Sequence, residues 1–563
     1  MIALLEALVL TSGLAAQDPE SATTSCDGRV VSAIDIMPLD AEYPSVPAPA
    51  RWLTRALGVP NVTTTEKAIE SFLLVEVGQL CTDRQRAESE RVLRLQPFLA
   101  DATVRSVPDG AGGVRIQVET TDELATVLRM RFHGLEPAAV RMGNGNLAGQ
   151  GLYVAAGIGW RSAYRTGFAF DGAAYQVLGR PFTLAVSTDR APLGGALAVE
   201  FGHPFLTGLQ RSAWHMGYGD ADRYTSFVRP DYDPLTLEVH RRFWDAGGVR
   251  RLGANPQSTF LGVLVSGEDV RPARRAVIVS DSGLVQDASG ALGDPVLAYH
   301  NVRLNAVVGT RALSFTTVRG FDALMGAQDV ATGVQIGVLV GHGVPPLGSV
   351  DDDLFLSANV YTGLGSARSF VALQLEVEGR RARRSGVWDA LVGSGRLAWY
   401  AKPADAHVLI ASVEAAGGWQ GRVPFQLRLG DRQGGVRGYG SSRLAGAVRS
   451  VARLEDRWLL GGLTRHDAVG IAGFIDVGRV WAGDAPFGAD SGGRVGVGLG
   501  LLAALPPQSQ RLWRLDVALP VRPDRYAQWE IRLTGLWTGA FWHEPDDVAR
   551  VRAGASPSTI FTW

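Results

Sequence analysis

Lysine is nearly missing from this 563-residue chain: Lys67 and Lys402 are the only two, and arginine supplies the rest of the positive charge. The net charge is −1, which removes any global electrostatic case for a nucleic-acid partner. The arginine skew reads as the mark of a GC-rich genome. Only two cysteines occur, Cys26 and Cys81; in an exported chain an even pair reads as one disulfide, the alternative being two unrelated thiols. Thr23-Thr24-Ser25 is a poor lipid-attachment context for Cys26. After the N-terminus no window holds 18 uncharged apolar residues, so no membrane-spanning helix is expected. No repeat of period 20–50 is visible. Gly-x-Ser-x-Gly, the phosphate-binding Gly-x-x-x-x-Gly-Lys-Ser/Thr and His-Glu-x-x-His are all absent. The nine histidines are scattered, with none at metal-ligand spacing. Asp351-Asp352-Asp353 lacks calcium-loop spacing and reads as a solvated loop tip. The expectation is no enzyme, no cofactor and no metal.

What the chain has instead is glycine, 69 residues, mean hydropathy slightly above zero, and long stretches of two-residue alternation. Residues 1–16 resemble a secretory signal, apolar from Ile2 to Leu14 with Leu14-Ala15-Ala16 as a cleavage site, although Glu6 interrupts the run and no basic residue precedes it. Near the C-terminus Trp529, Ile531, Leu533, Gly535, Trp537, Gly539 and Phe541 share one face, with Glu530, Arg532, Thr534 and Thr538 on the other. Upstream, Trp513, Leu515, Val517, Leu519 and Val521 alternate with Arg514, Asp516 and Ala518. A soluble sandwich also alternates, but charge on one face and tryptophan at the strand ends fit a transmembrane β-barrel with a wet lumen. The fold expected is mainly β, an antiparallel barrel over 146–542. Shared among sixteen strands it leaves about 25 residues for each strand and its loops, where a tilted crossing needs ~9–11. Gln528–Trp542 is read as the last strand, with Trp529, Ile531, Leu533, Gly535 and Trp537 as its assembly signal. Residues 543–563 form a C-terminal tail, a periplasmic extension or, through Ile560-Phe561-Thr562-Trp563, the assembly signal itself.

Residues 29–122 read as a small α/β unit. Val30 to Ile36 alternate as a strand, followed by a Pro- and Ala-rich insert from Met37 to Pro60. Thr63-Thr64-Thr65-Glu66 opens a helix striped with Ala68, Ile69, Phe72 and Leu73, closed by Gly78. Thr82-Asp83-Arg84-Gln85 opens a second helix, and strands follow at 102–107 and 114–118. Residues 123–145 are expected to be a connector.

Within 434–440 four glycines surround Val436-Arg437-Gly438-Tyr439-Gly440, which suits a tight loop better than a strand. An arginine among small residues wants a fixed carboxylate. Asp476, in Phe474-Ile475-Asp476-Val477-Gly478, falls on the lumen face of its strand, and Glu455 is a second acceptor candidate. Gly496, Gly498 and Gly500 share an inward face that leaves room for an inserted loop. These motifs resemble those of the BamA/TamA superfamily, the bacterial surface antigen type, in which the sixth outer loop folds into a sixteen-stranded barrel and its arginine pairs with an aspartate. The β-α-α-β-β order of residues 29–122, and the run Glu88 to Arg94 leading to Pro97-Phe98-Leu99, resemble a polypeptide-transport-associated (POTRA) domain.

The resemblance implies an outer-membrane protein with its N-terminal domain in the periplasm, inserting or translocating proteins without catalysis. Unfolded outer-membrane or secreted clients would add a strand to the POTRA edge and pass to the seam between first and last strands. Charge reversal at both Arg437 and Asp476 would partly restore function lost in Arg437→Ala. Outer-membrane lipid or lipopolysaccharide, the latter at the basic run Arg380-Arg381-Ala382-Arg383-Arg384, and accessory periplasmic proteins are further expected partners. A single domain of this kind leaves two alternatives open: a two-partner-secretion transporter for one dedicated protein, or a passive or lipid-handling pore.

Overall fold

The computed structural model describes residues 23–39, 63–133, 136–160, 166–253, 257–280, 283–287, 290, 292, 298–383 and 385–552. The signal-like residues 1–16, most of the Pro- and Ala-rich insert and the aromatic end 560–563 lie outside them.

The N-terminal unit is a three-stranded sheet in the order β1 (Val31–Leu39), β3 (Val114–Asp122), β2 (Leu99–Pro108), with β1 parallel and β2 antiparallel to β3. Helices Glu66–Glu70 and Asp83–Arg94 fall between β1 and β2 in the chain. Thr82 and Gln85 form a reciprocal capping box at the second helix, a device worth about 1 kcal/mol. The first helix is shorter than its apolar stripe suggests. The Ser71 hydroxyl turns back to Ala68 O, and the Leu74 N–H donates to Ser89 Oγ at 2.9 Å. Ile69, Phe72, Val92, Leu93, Phe98, Val104, Ile116 and Val118 fill the core. Cys26 and Cys81 are disulfide-bonded, with Cα atoms 5.5 Å apart.

The rest is one large antiparallel sheet closed on itself. Its strands are β4 (Thr126–His133), β5 (Glu136–Asn144), β6 (Leu152–Gly159), β7 (Gly167–Ala174), β8 (Thr183–Arg190), β9 (Gly194–His203), β10 (Ser212–Phe227), β11 (Leu235–Leu252) and β12 (Gln257–Pro272). After the short hairpin β13 (Val277–Ser280) and β14 (Gly283–Gln286) come β15 (Tyr299–Arg319), β16 (Ala327–Gly343), β17 (Asp353–Gly365), β18 (Ser369–Ala382), β19 (Trp388–Ala404) and β20 (His407–Trp419). A minor pair, β21 (Leu427–Arg428) and β22 (Ala445–Gly446), precedes β23 (Val448–Gly461), β24 (Ala468–Trp481), β25 (Arg494–Ala504), β26 (Arg511–Pro520) and β27 (Glu530–Trp537). Among the described residues twenty strands make the wall, not the sixteen expected. The difference has two physical sources. The expected connector 123–145 is itself wall, forming β4 and β5. Strands β6 to β9 are only 8–10 residues long, so the chain consumes fewer residues per strand there than an even division assumes.

Alternation sorts the side chains as the sequence suggests. Ile471, Ile475, Val477, Leu499, Leu501, Leu515, Val517, Ile531 and Leu533 are exposed on the outer face, while Glu455, Asp476, Arg514 and Asp516 are buried inside. Among the described residues no helix is long and apolar enough to cross a membrane.

The last strand ends at Trp537, five residues earlier than expected. Its hairpin partner β26 begins at Arg511, and Thr538 gives both its N–H and its hydroxyl to Gln510 O. A Cβ on Gly539 would meet the Trp537 ring at 2.2 Å, so a side chain there would have to displace that ring. Phe541, placed on the outer face by simple alternation, instead packs edge-on against Tyr361 with centroids 5.9 Å apart.

Candidate functional site

The loop 420–447, between β20 and β23, folds into the lumen. Leu427, Leu429, Val436 and Tyr439 are fully buried. Arg437 makes a bidentate pair with Asp476, Nε to Oδ2 at 2.8 Å and Nη2 to Oδ1 at 2.7 Å, and its backbone N–H adds a third bond to Oδ2 at 3.1 Å. The planar guanidinium suits this fork, which an ammonium would not fill. Its remaining nitrogen, Nη1, reaches Glu455 Oε2 at 3.2 Å and Asp516 Oδ2 at 3.4 Å. Arg514 binds both oxygens of Glu455 at 2.8 and 2.9 Å, and Arg457 binds Glu455 as well. Three guanidinium groups and three carboxylates thus share one site with no net charge. The Phe474 ring lies beneath Arg437, 3.4 Å from the guanidinium carbon, an attraction that strengthens where water is excluded.

The loop motif is held along its whole length. Val436 rests on Gly478, where a Cβ would be 2.3 Å from Val436 Cγ2. Gly438, at φ +89°, brings the backbone against Leu519 and Pro520, and its N–H donates to Glu530 Oε2 at 3.0 Å. Such a φ favours glycine because a side chain would clash. Tyr439 donates to Arg522 O at 2.8 Å, and a Cβ on Gly440 would meet the Glu530 carboxylate. Of the three inward glycines, Gly496 makes room for the loop itself. Gly498 makes room for Phe474, and Gly500 for Asp516. Asp516, Arg514 and Glu530 are site residues that the motif comparison did not single out; their lumen-facing positions in alternating strands were the available signal.

The same lumen receives the chain's C-terminal segment. Asp547 pairs with Arg449 at 2.6 Å, and Pro545 packs against Gly434 of the loop. Residues through 552 therefore lie inside the barrel and do not extend away from it.

The N-terminal domain sits against the near mouth, where β27 ends. Arg94 binds both oxygens of Asp329 at 2.9 and 2.7 Å, Gln510 Nε2 donates to Arg94 O at 2.9 Å, and Ser509 donates to Glu123. Glu88 accepts from Thr207 and Gly208 of a barrel turn. Burial alone would raise the Glu88 carboxyl, but the Arg91 charge and these donors prevail and hold it below the ordinary glutamate value. At Glu123 burial wins and pushes the carboxyl up, against the pull of Arg511 and Ser509.

The free edges of the small sheet differ. Along β2, the Thr24 N–H donates to Ser106 O and the Ser106 hydroxyl donates to Thr24 O, Glu90 accepts from Val104 N–H, and Arg86 and Arg94 donate to Val104 O and Ala102 O. That edge is capped. From Ser32 to Leu39 the outer edge of β1 carries no such cap among the described residues.

The acidic and basic runs are dismantled by the fold. Asp351 pairs with Arg422, Asp352 with Arg383, and buried Asp353 with Arg303, so the three carboxylates never converge. Among the described residues no group of side chains is arranged to hold a metal ion. Arg380 points inward to Glu268 and Tyr299, whereas Arg381 and Arg383 remain exposed.

No family model and no curated protein matches the chain. Solved structures resemble it at 12 % identity: BamA from Haemophilus ducreyi lacking POTRA domains 1–3, covering 90 % of this chain and 85 % of that one with a TM-score of 0.39; CdiB from Escherichia coli, covering 94 % of each with 0.38; and CdiB from Acinetobacter baumannii, covering 90 % and 73 % with 0.40. Neither fold nor function follows from likenesses this weak.

Proposed function

We propose that this chain is a non-catalytic outer-membrane barrel of the BamA/TamA type, with its N-terminal domain acting as a single POTRA domain in the periplasm, and that it moves proteins into or across that membrane. The observation that carries the reading is the Arg437 loop, folded into a charged lumen and fixed by Asp476. A solvent loop needs no such site, and a buried ion network of this kind selects one arrangement more than it adds stability. The outward apolar face supplies the lipid contact. An unfolded client would add a strand at β1, since β2 is capped, and the joint between β27 and β4 is the seam that would open. Exposed Arg381 and Arg383 suit lipopolysaccharide phosphates at the outer rim; accessory periplasmic proteins would meet the domain's outer surface.

A dedicated secretion transporter is the second reading, and one observation favours it: part of the chain itself occupies the lumen, as befits a path that must be kept shut. Quantitative proteomics of the outer membrane and medium after depletion separates the readings. A broad fall in barrel proteins supports general assembly, and loss of one secreted protein supports dedicated transport. No change in either fraction would overturn both and leave a pore.

A further inference from the structure

We propose that the junction between the N-terminal domain and the near mouth is a binding site for a soluble phosphate, formed by Arg91, Arg251, Arg311 and Gln335, and that the bound anion holds the domain against the barrel. The site stands whatever the barrel moves.

It lies on the lumenal side of the wall. Leu304 and Val308 of β15 are exposed on the outer face, so Arg311 and Phe315, at odd positions of the same strand, face inward. Aromatic rings hold two of the guanidinium groups in place. Arg91, from the helix Asp83–Arg94, lies 4.1 Å over the Phe315 ring, and Arg311 lies 5.3 Å from the Phe260 ring and 5.9 Å from that of Phe205. Arg251, near the end of β11, is tied by its Nη atoms to Gly208 O and Leu209 O of the barrel turn.

Charge does not balance here. Arg311 feels Arg91 and Arg251 against a single carboxylate, Glu88, while Arg251 also feels Arg84 and Arg211. Glu88 is already engaged, accepting from Arg91 Nη2 at 2.8 Å and from Thr207 and Gly208. The neighbouring carboxylates turn elsewhere: Glu90 and Asp329 go to Arg94, and Asp101 goes to Arg319. Like charges repel strongly where water is scarce, and buried charges in stable folds are paired.

Donors are left over as well. Arg91 is only 4 % exposed, and Glu88 and Leu206 O use its Nη2 alone. Its Nε and Nη1 are buried with no partner among the described residues, as are Arg251 Nε and Gln335 Nε2. Turning the Gln335 amide round is no remedy, because its Oε1 accepts from Arg311 Nε at 2.6 Å. Buried N–H groups in folded proteins find an acceptor. A tetrahedral oxyanion offers several at once, and guanidinium groups suit phosphate. The inward position keeps bilayer headgroups out, so the phosphate is a soluble one, free or esterified.

The test uses full-length protein in detergent micelles and chloride buffer, with heat-modifiable migration as the check on folding. Hydrogen exchange of the helix Asp83–Arg94 is followed as inorganic phosphate is added. Protection should rise several-fold and saturate, while chloride at the same ionic strength leaves it unchanged. A second titration with glycerol phosphate separates the sources: the ester binding more tightly marks an esterified ligand, and the inorganic ion binding more tightly marks free phosphate. Arg311→Gln should weaken the phosphate response many-fold. In phosphate-free buffer the same variant should keep the helix at least as protected as in wild type, since one repelling charge is gone. A merely structural arginine predicts the reverse, and loosening of the variant in that buffer would overturn the site. So would a wild type that ignores phosphate or answers equally to chloride, or a folded Arg311→Gln protein that titrates like the wild type. Should Arg311→Gln fail to fold, the comparison of phosphate with chloride in the wild type decides alone.

Discussion

A carbon placed on the α position of Gly496 would lie 2.0 Å from the carbonyl oxygen of Arg437. The loop's backbone fills the space that a side chain would take. Gly496→Ala should therefore push the loop out of its seat, with a loss of function as large as that of Arg437→Ala. Gly493→Ala, where nothing lies within 4 Å, should be silent. Limited proteolysis of the loop in intact cells reads the displacement; equal resistance in Gly496→Ala and wild type would refute it.

Arg437→Ala should leave a heat-modifiable barrel that no longer functions. Removing one member of a buried charge network costs roughly 3–5 kcal/mol, here chiefly because Asp476 stays buried without its bidentate partner. The sequence alone suggested that reversing both Arg437 and Asp476 would partly restore function. The structure argues otherwise. An aspartate at 437 would face Glu455 and Asp516 as well, and the backbone N–H that bonds Asp476 Oδ2 would lose its acceptor. The double reversal should be no better than the single mutant in a transport assay, and clear rescue would show that Asp476 alone matters.

Domain docking should respond to pH in two opposed ways. Glu88 is held below its usual value, so its contribution is fully present above the ordinary glutamate range and fades as pH falls through the lowered value. Glu123 is raised; it favours the docked state at low pH and loses that contribution as pH rises through its raised value. Hydrogen exchange of the helix Asp83–Arg94 should show Glu88→Gln removing the loosening in acid. In Glu123→Gln, protection should no longer fall as pH rises. Profiles unchanged in both variants would mean that neither carboxyl governs docking.

Replacing Thr82 with alanine removes one half of the capping box on that same helix. Thermal unfolding of the domain should show a loss of about 1 kcal/mol, with transport unchanged at moderate temperature.

Much of the site was legible because a β-strand has a period of two. Once Ile475 and Val477 face outward, Asp476 must face in, and the glycines of β25 must open space on that same side. Nothing comparable fixes a strand count, since turn lengths are not periodic, and β4 and β5 passed for a connector. The end of the last strand is hidden for a different reason. Gly539 and Phe541 continue the alternation of β27 faithfully, and only the missing hairpin partner beyond Gln510 ends the strand. Glu530 and Asp516 show their orientation in the sequence, but which loop group each would meet is a matter of tertiary approach.

The cap over β2 leans in part on sulfur. Thr24 covers Ser106 beside Cys26, which is tied to Cys81 by a bridge closing 55 residues and worth about 4 kcal/mol by loop closure. Asp83 grips the same stretch through the Ser25 hydroxyl and the Cys26 N–H, and Glu90, Arg86 and Arg94 guard Val104 and Ala102 from the helix side. Reduction therefore loosens only the Ser106 end of that border. Hydrogen exchange in reductant should quicken at the Thr24 amide, which donates to Ser106 O, while the Val104 amide, held by Glu90, keeps its protection.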